Sequence, residues 1–91
     1  MRALDWSDLA LTDLLSILDY IADENPTAAQ ALKDEIDAKA ARLPVMPGIG
    51  RPGRVDGTRE LVVRPNFLLV YRHDEARVTI LRVLHAAQMW P

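Results

Sequence analysis

The sequence predicts an α+β fold, an N-terminal antiparallel helix hairpin packed on a small twisted antiparallel β-sheet. Three observations predict it. Two stretches between residues 7 and 43 repeat apolar side chains at helical spacing and are divided by Asn25-Pro26. All four glycines, Gly48, Gly50, Gly53 and Gly57, then fall in one segment with Pro44, Pro47 and Pro52. Residues 58–85 follow as three runs rich in Val, Ile and Leu, joined by two hairpin-length connections. Ninety-one residues suffice for one domain, 1–91, with a thin core.

A short strand is expected over 2–6, centred on Ala3–Trp6. Ser7 is a natural N-cap for a helix over 7–24, with Asp8 in the first turn where the helix dipole favours an anion. Leu11, Leu14, Leu15, Leu18 and Ile21 recur at helical spacing, joined by Ile17 and Tyr20, while Asp13, Asp19 and Asp23 fall on other faces. Asn25 precedes a proline and is pushed out of helical geometry, which ends this helix. The same Asn25 caps a second helix over 26–43, with Pro26 at its first position. Ala29, Leu32, Ile36, Ala40 and Leu43 form its narrow stripe, small enough for close helix–helix approach.

The loop 44–57 is long for so small a domain, which favours a functional role over an idle one. Its Gly-Ile-Gly-Arg-Pro-Gly run lacks the lysine and the following helix of a phosphate cradle, so nucleotide binding is set aside. The loop is expected to lead from helices to sheet and to hold Arg51 and Arg54 near the sheet edge. A meander over 58–85 comes next, with strands 58–63, 67–73 and 77–85, then a tail 86–91. Strict alternation puts Leu68 and Val70 on one face and Phe67, Leu69 and Tyr71 on the other. In the last strand it groups Val78, Ile80, Arg82 and Leu84 against Thr79, Leu81, Val83 and His85. Both faces are therefore apolar, whereas antiparallel sheets usually turn one polar face to water. Two helices cover one face. The other is left as a binding surface or lies under the loop.

No run is long enough to span a bilayer, and Asp5, Asp8 and Asp13 interrupt any N-terminal export signal. The absence of cysteine removes disulfides and thiolate metal sites and fits a cytoplasmic protein. No metal site and no cofactor are indicated. The net charge of −2 conceals an asymmetry: residues 1–40 carry nine acids against three bases, residues 41–91 eight arginines against four acids. Arginine suits bidentate contacts with carboxylates and phosphates. Such a surface fits an acidic protein or a nucleic acid, or it simply keeps a sheet soluble. Arg72 and Arg82 have a plain structural role available as cross-strand partners of Glu60 or Asp74. His85 can equally hydrogen-bond a backbone carbonyl at the end of a buried strand. His73 sits beside a turn and is expected in solvent. Trp6 is expected over an edge of the core.

Three groups of residues resemble the RelE/ParE superfamily of bacterial type II toxins. The first is Trp6, Ala10, Asp13-Leu14, Ile17, Tyr20-Ile21, Asn25-Pro26 and Ala28-Ala29. The second is Leu43-Pro44, Pro47-Gly48 and Gly50-Arg51. The third is Arg59-Glu60-Leu61-Val62-Val63, Val70-Tyr71-Arg72 and Ile80-Leu81-Arg82-Val83-Leu84-His85. The resemblance implies a growth-inhibiting, plasmid-stabilising toxin, silenced by a ParD/RelB-like antitoxin with an acidic C-terminal segment in a hetero-oligomer. Such a segment would fold onto apolar and arginine-rich surface.

The superfamily implies one of two targets. RelE-type members cut mRNA on the ribosome; ParE-type members bind DNA gyrase without catalysis. Metal-free RNA cleavage needs an acid or base and cations at the phosphate. His85, Arg59 and Arg82 are the candidates. The fuller basic set of RelE-type toxins is missing: Glu60-Leu61-Val62-Val63 follows Arg59, Phe67-Leu68-Leu69 stands where an arginine would fall, and Ala86-Ala87 follows the histidine. A ribosome-seeking protein is also usually basic, since phosphate contacts dominate RNA affinity. The ParE-like reading is therefore preferred, with Arg51, Arg54, Arg59, Arg72, Arg82, His85 and Trp90 as candidate antitoxin- or target-binding residues. A non-toxic interaction module is the further alternative.

Overall fold

Ser7 and Asn25 start the two helices by the same means. Ser7 Oγ accepts the amide of Ala10 at 3.0 Å, and Asn25 Oδ1 accepts that of Ala28 at 3.0 Å. The computed structural model describes residues 1–85 together with Gln88 and Trp90. The elements are β1 (Ala3–Trp6), α1 (Asp8–Ala22), α2 (Pro26–Arg42), β2 (Arg51–Pro52), β3 (Arg59–Arg64), β4 (Phe67–His73) and β5 (Arg77–His85). Of the expected tail 86–91, Ala86, Ala87, Met89 and Pro91 lie outside the described residues.

The strands form one sheet in the order β1-β5-β4-β3-β2. The predicted helix hairpin on a sheet is present, but the sheet is mixed. β3, β4 and β5 are antiparallel as expected, while β1 joins β5 in parallel, Ala3 facing Arg77 and Trp6 facing Ile80. Parallel neighbours need a long crossover, and the whole helix hairpin, loop and meander supply it. The loop is also less irregular than expected, since Arg51 and Pro52 pair with Glu60 and Arg59 as the edge strand β2.

The core lies between the helices and one sheet face. Leu32, Ile36, Ala40 and Leu43 of the predicted α2 stripe are buried in it, with Leu61, Leu69, Tyr71, Val78, Ile80 and Val83 beneath; Trp6 packs on its margin. The predicted phase of α1 is wrong by part of a turn. Ala10 and Leu14 are buried, whereas Leu11, Leu15 and Tyr20 stand in solvent. Asp13 is the cause. It shares the inner face with Ala10, Leu14 and Ile17 because its carboxylate meets β5, and this rotation turns the two outer leucines away.

Strict alternation also fails in β5. Val70 pairs with Arg82 and Tyr71 with Ile80, so Leu81 is an extra residue, a β-bulge. Before it, Val78 and Ile80 face the helices; after it, Val83 does, and Leu84 points to the opposite side with Leu68 and Val70. The expected grouping of Leu84 with Val78 and Ile80 is thereby overturned. The second face is also less bare than predicted. Leu68, Val70 and Leu84 are buried there, with Leu81 and Trp90 packed against them.

The loop 44–57 is pinned from below by Tyr71. Its hydroxyl donates to Pro47 O at 2.6 Å and accepts the Gly50 amide at 2.9 Å. A Cβ on Gly50 would lie 2.6 Å from that hydroxyl and 2.9 Å from Glu60 O, so only glycine permits the approach. Gly50→Ala is expected to lower the unfolding free energy by about 1–3 kcal/mol in urea melts, the cost of forcing a methyl into packed structure. Burial also raises the Tyr71 phenol above its ordinary pKa of 10.0. The neutral phenol is thus favoured by folding. Its contribution is full below pH 10 and lost as pH rises through the folded value. Stability measured across alkaline pH should fall less steeply in Tyr71→Phe than in the parent protein.

Candidate functional site

The bulge and the end of β1 create the chemistry of this molecule. β1 stops at Trp6, so β5 beyond Ile80 has no neighbouring strand on that side. Its backbone is met by side chains instead. Ser7 Oγ donates to Leu81 O at 3.0 Å, Asp13 accepts the Val83 amide at 3.0 Å, and Gln88 accepts the His85 amide at 2.7 Å. Asp13 also takes both arms of Arg82, at 2.7 and 3.0 Å. The pair is largely buried, and the hydrogen bond to Asp13 raises the Arg82 pKa further. Arg82 therefore pairs across to α1, not with Glu60 or Asp74. Its guanidinium also lies 5.9 Å from the ring centre of Trp90.

The remaining predicted residues are spread over both faces. On the face away from the helices, one cross-strand row reads Arg51, Glu60, Val70, Arg82. Glu60 is buried, with Arg51 at 3.1 Å and Arg54 at 3.7 Å. The next row holds Arg72, Thr79 and Asp5, and the apolar row on the other side holds Val62, Leu68 and Leu84. Arg59 is on the opposite, helix-covered face beside Tyr71, where it donates to Gly50 O at 2.7 Å and helps to hold the loop. His73 is exposed, as expected.

His85 also faces the helices, because the bulge shifted its phase. In register it stands beside Phe67, whose ring meets the imidazole edge-on at 5.4 Å, and Phe67 stands beside Arg64. Arg64 pairs with Glu35 of α2. His85, Phe67, Ile17, Tyr20 and Ile21 line an apolar cleft of about 470 Å³ between α1 and the β3–β4 turn. The three catalytic candidates are thus not gathered. Arg59 pairs with Tyr71, four residues along β4 from the Phe67 that pairs with His85, a span of about 13 Å at strand rise. Arg82 is locked to Asp13. Among the described residues no three His, Asp or Glu side chains cluster as metal ligands, and no helix is long and apolar enough to cross a membrane. Asp13, Arg64 and Phe67 are site residues that the sequence pattern does not single out. The one available signal was Asp13, an acid in phase with Ala10, Leu14 and Ile17.

Two helices over a mixed five-stranded sheet match solved structures of toxins from toxin–antitoxin pairs. The structure of the chromosomal ParDE system from P. aeruginosa superposes with a TM-score of 0.84 at 28% identity, covering 93% of this chain and 96% of that one. The E. coli DinJ-YafQ complex shares the fold at a TM-score of 0.66 and 13% identity, covering 99% and 98%. In sequence, the chain is 37% identical to Y4kP of Sinorhizobium fredii over 99% of its length and 94% of that protein's. It is 36% identical to Toxin RelE2 of Caulobacter vibrioides over 98% and 100%. The family model of the ParE toxin of the type II toxin–antitoxin system parDE matches residues 4–90, and the chain belongs to that family.

The Asp13–Arg82 pair should be measurable as stability. Asp13→Ala leaves a poorly solvated guanidinium and an unpaired Val83 amide, and should cost about 2–4 kcal/mol in urea denaturation. Exposed Arg72→Ala should change stability by less than about 0.5 kcal/mol. Equal effects would show that Asp13 does not hold the bulge.

Proposed function

We propose that this ParE-family toxin arrests growth by binding DNA gyrase, and that a cognate antitoxin with an acidic C-terminal segment neutralises it. The observation that carries the non-nuclease reading is the dispersal of the three groups RNA cleavage would require. Arg82 is neutralised by Asp13, Arg59 is occupied by loop carbonyls, and His85 faces an apolar cleft beside Phe67. A scissile phosphate needs cations and an acid or base placed closely enough to reach its oxygens and the attacking hydroxyl together. The matched family model and the P. aeruginosa ParDE likeness support the same reading. The antitoxin partner is supported by structural neighbours that are toxin–antitoxin complexes.

A ribosome-dependent nuclease is the second reading, favoured by the position of His85 at the wall of a 470 Å³ cleft. Induced expression should stop growth, and co-expression of the neighbouring antitoxin gene should restore it. Purified protein should inhibit gyrase supercoiling and leave mRNA on translating ribosomes intact. Ribosome-dependent cleavage abolished by His85→Ala would replace the gyrase reading with the nuclease one. Growth unaffected by expression would leave a non-toxic binding module.

A further inference from the structure

The arginines of the sheet are not equivalent. Arg51 engages Glu60, Arg59 engages loop carbonyls, and Arg64, Arg77 and Arg82 engage Glu35, Asp5 and Asp13. Among the described residues Arg59 and Arg72 are the sheet arginines in no ion pair, and Arg72, unlike Arg59, has no side-chain hydrogen bond there either. It lies exposed at a cleft of about 320 Å³ whose wall includes Thr79, Asp74 and Arg77. We infer that Arg72 and Thr79 form a docking point for one carboxylate side chain, Asp or Glu, of an extended acidic partner segment lying on the face of the sheet away from the helices.

Three features select that ligand. The charges facing the cleft nearly cancel apart from one. Asp5 holds Arg77 at 2.6 Å, and the Arg2 Nε donates to Asp74 O at 2.6 Å. The Asp74 carboxylate is turned into its own turn, where the amides of Arg77 and Ala76 hold its pKa below the ordinary carboxylate range. On the cleft wall itself, Arg72 and Arg77 against Asp74 leave a formal surplus of one positive charge. A carboxylate neutralises that surplus; a phosphate dianion or a polyanionic backbone would exceed it and meet the two acids. Next, an unengaged guanidinium can give a carboxylate two parallel hydrogen bonds, and Thr79, directly across the strand pair from Arg72, brings a hydroxyl to the same cleft. Finally, the strand rows beside the cleft hold Glu60, Val70 and Arg82 and then Val62, Leu68 and Leu84, of which Val62 is an exposed apolar side chain. A segment that anchors an acid at Arg72 would meet the exposed Val62 side chain two rows further on.

The inference rests on the reading of an acidic partner, but its test does not need that partner. The full chain is titrated with capped hexaglutamate, hexaglutamine and inorganic phosphate at matched ionic strength, while the arginine Nε–Hε resonances are followed by NMR. Hexaglutamate should shift Arg72 and the Thr79 amide saturably, and hexaglutamine should not. Arg72→Gln should weaken hexaglutamate binding about threefold to fivefold, the size of one exposed ion pair, and Arg54→Gln by less than about twofold. A circular dichroism spectrum unchanged by each substitution confirms folding. The inference fails if Arg72 does not shift, if phosphate binds there more tightly, or if Arg72→Gln binds hexaglutamate as the parent does. Failure of the gyrase and growth assays alone would overturn the proposed function and leave this site standing.

Discussion

The contact on which the rest depends is the grip of Asp13 on β5. One carboxylate takes the Val83 amide and both arms of Arg82, at the place where β1 has ended and the sheet would otherwise expose an unpaired edge. That grip sets the rotation of α1, burying Ala10 and Leu14 and leaving Leu11 and Leu15 outside. It also stabilises the extra residue in β5, which reverses the alternation so that Val83 enters the helix-side core and Leu84 leaves it. Helix phase, strand phase and the direction of His85 are therefore one choice made by one acid. A bare strand edge invites pairing with other chains. Here Ser7, Asp13 and Gln88 occupy that edge, while on the opposite side of the sheet β2 pairs with only Arg59 and Glu60 of β3.

The two sheet faces divide the arginines by function. Arg59 is covered by the loop it helps to hold, together with the Tyr71 hydroxyl and the close approach of Gly50. Arg51 and Arg54 serve the buried carboxylate of Glu60, since a buried charge is costly unless it is paired. A face rich in guanidinium groups thus presents far less free charge than its composition suggests.

The legible part of the fold was the part governed by local rules. Ser7 and Asn25 as caps, the α2 stripe and the β4 alternation follow from nearest-neighbour chemistry, and they stand within a residue or two of where the sequence puts them. What could not be read depends on long-range pairing. Nothing near Leu81 in sequence marks a bulge, and the side chain that meets β5 beside it, Asp13, is 69 residues away from Arg82. Nothing in Ala3–Trp6 tells parallel from antiparallel addition, since that is decided by where the chain returns. The candidate site suffered for the same reason. Arg59, Arg82 and His85 look like a set along the sequence, and the bulge and the two faces separate them.

The charge asymmetry of the chain acquires a different meaning in three dimensions. An acidic first half and an arginine-rich second half suggest two surfaces, one of which would attract nucleic acid. The salt bridges show that much of this imbalance is internal. Asp5 meets Arg77, Asp13 meets Arg82 and Glu35 meets Arg64, each joining the acidic half to the basic one. The two halves are matched because the helices and β1 must bind the meander, and ion pairs with defined geometry help to set which residues oppose each other. Affinity for a polyanion grows with the number of phosphates a protein can neutralise, and arginines already bound to carboxylates contribute little to that number. The same pairing that assembles the fold therefore leaves fewer free cations on the surface than the sequence composition suggests.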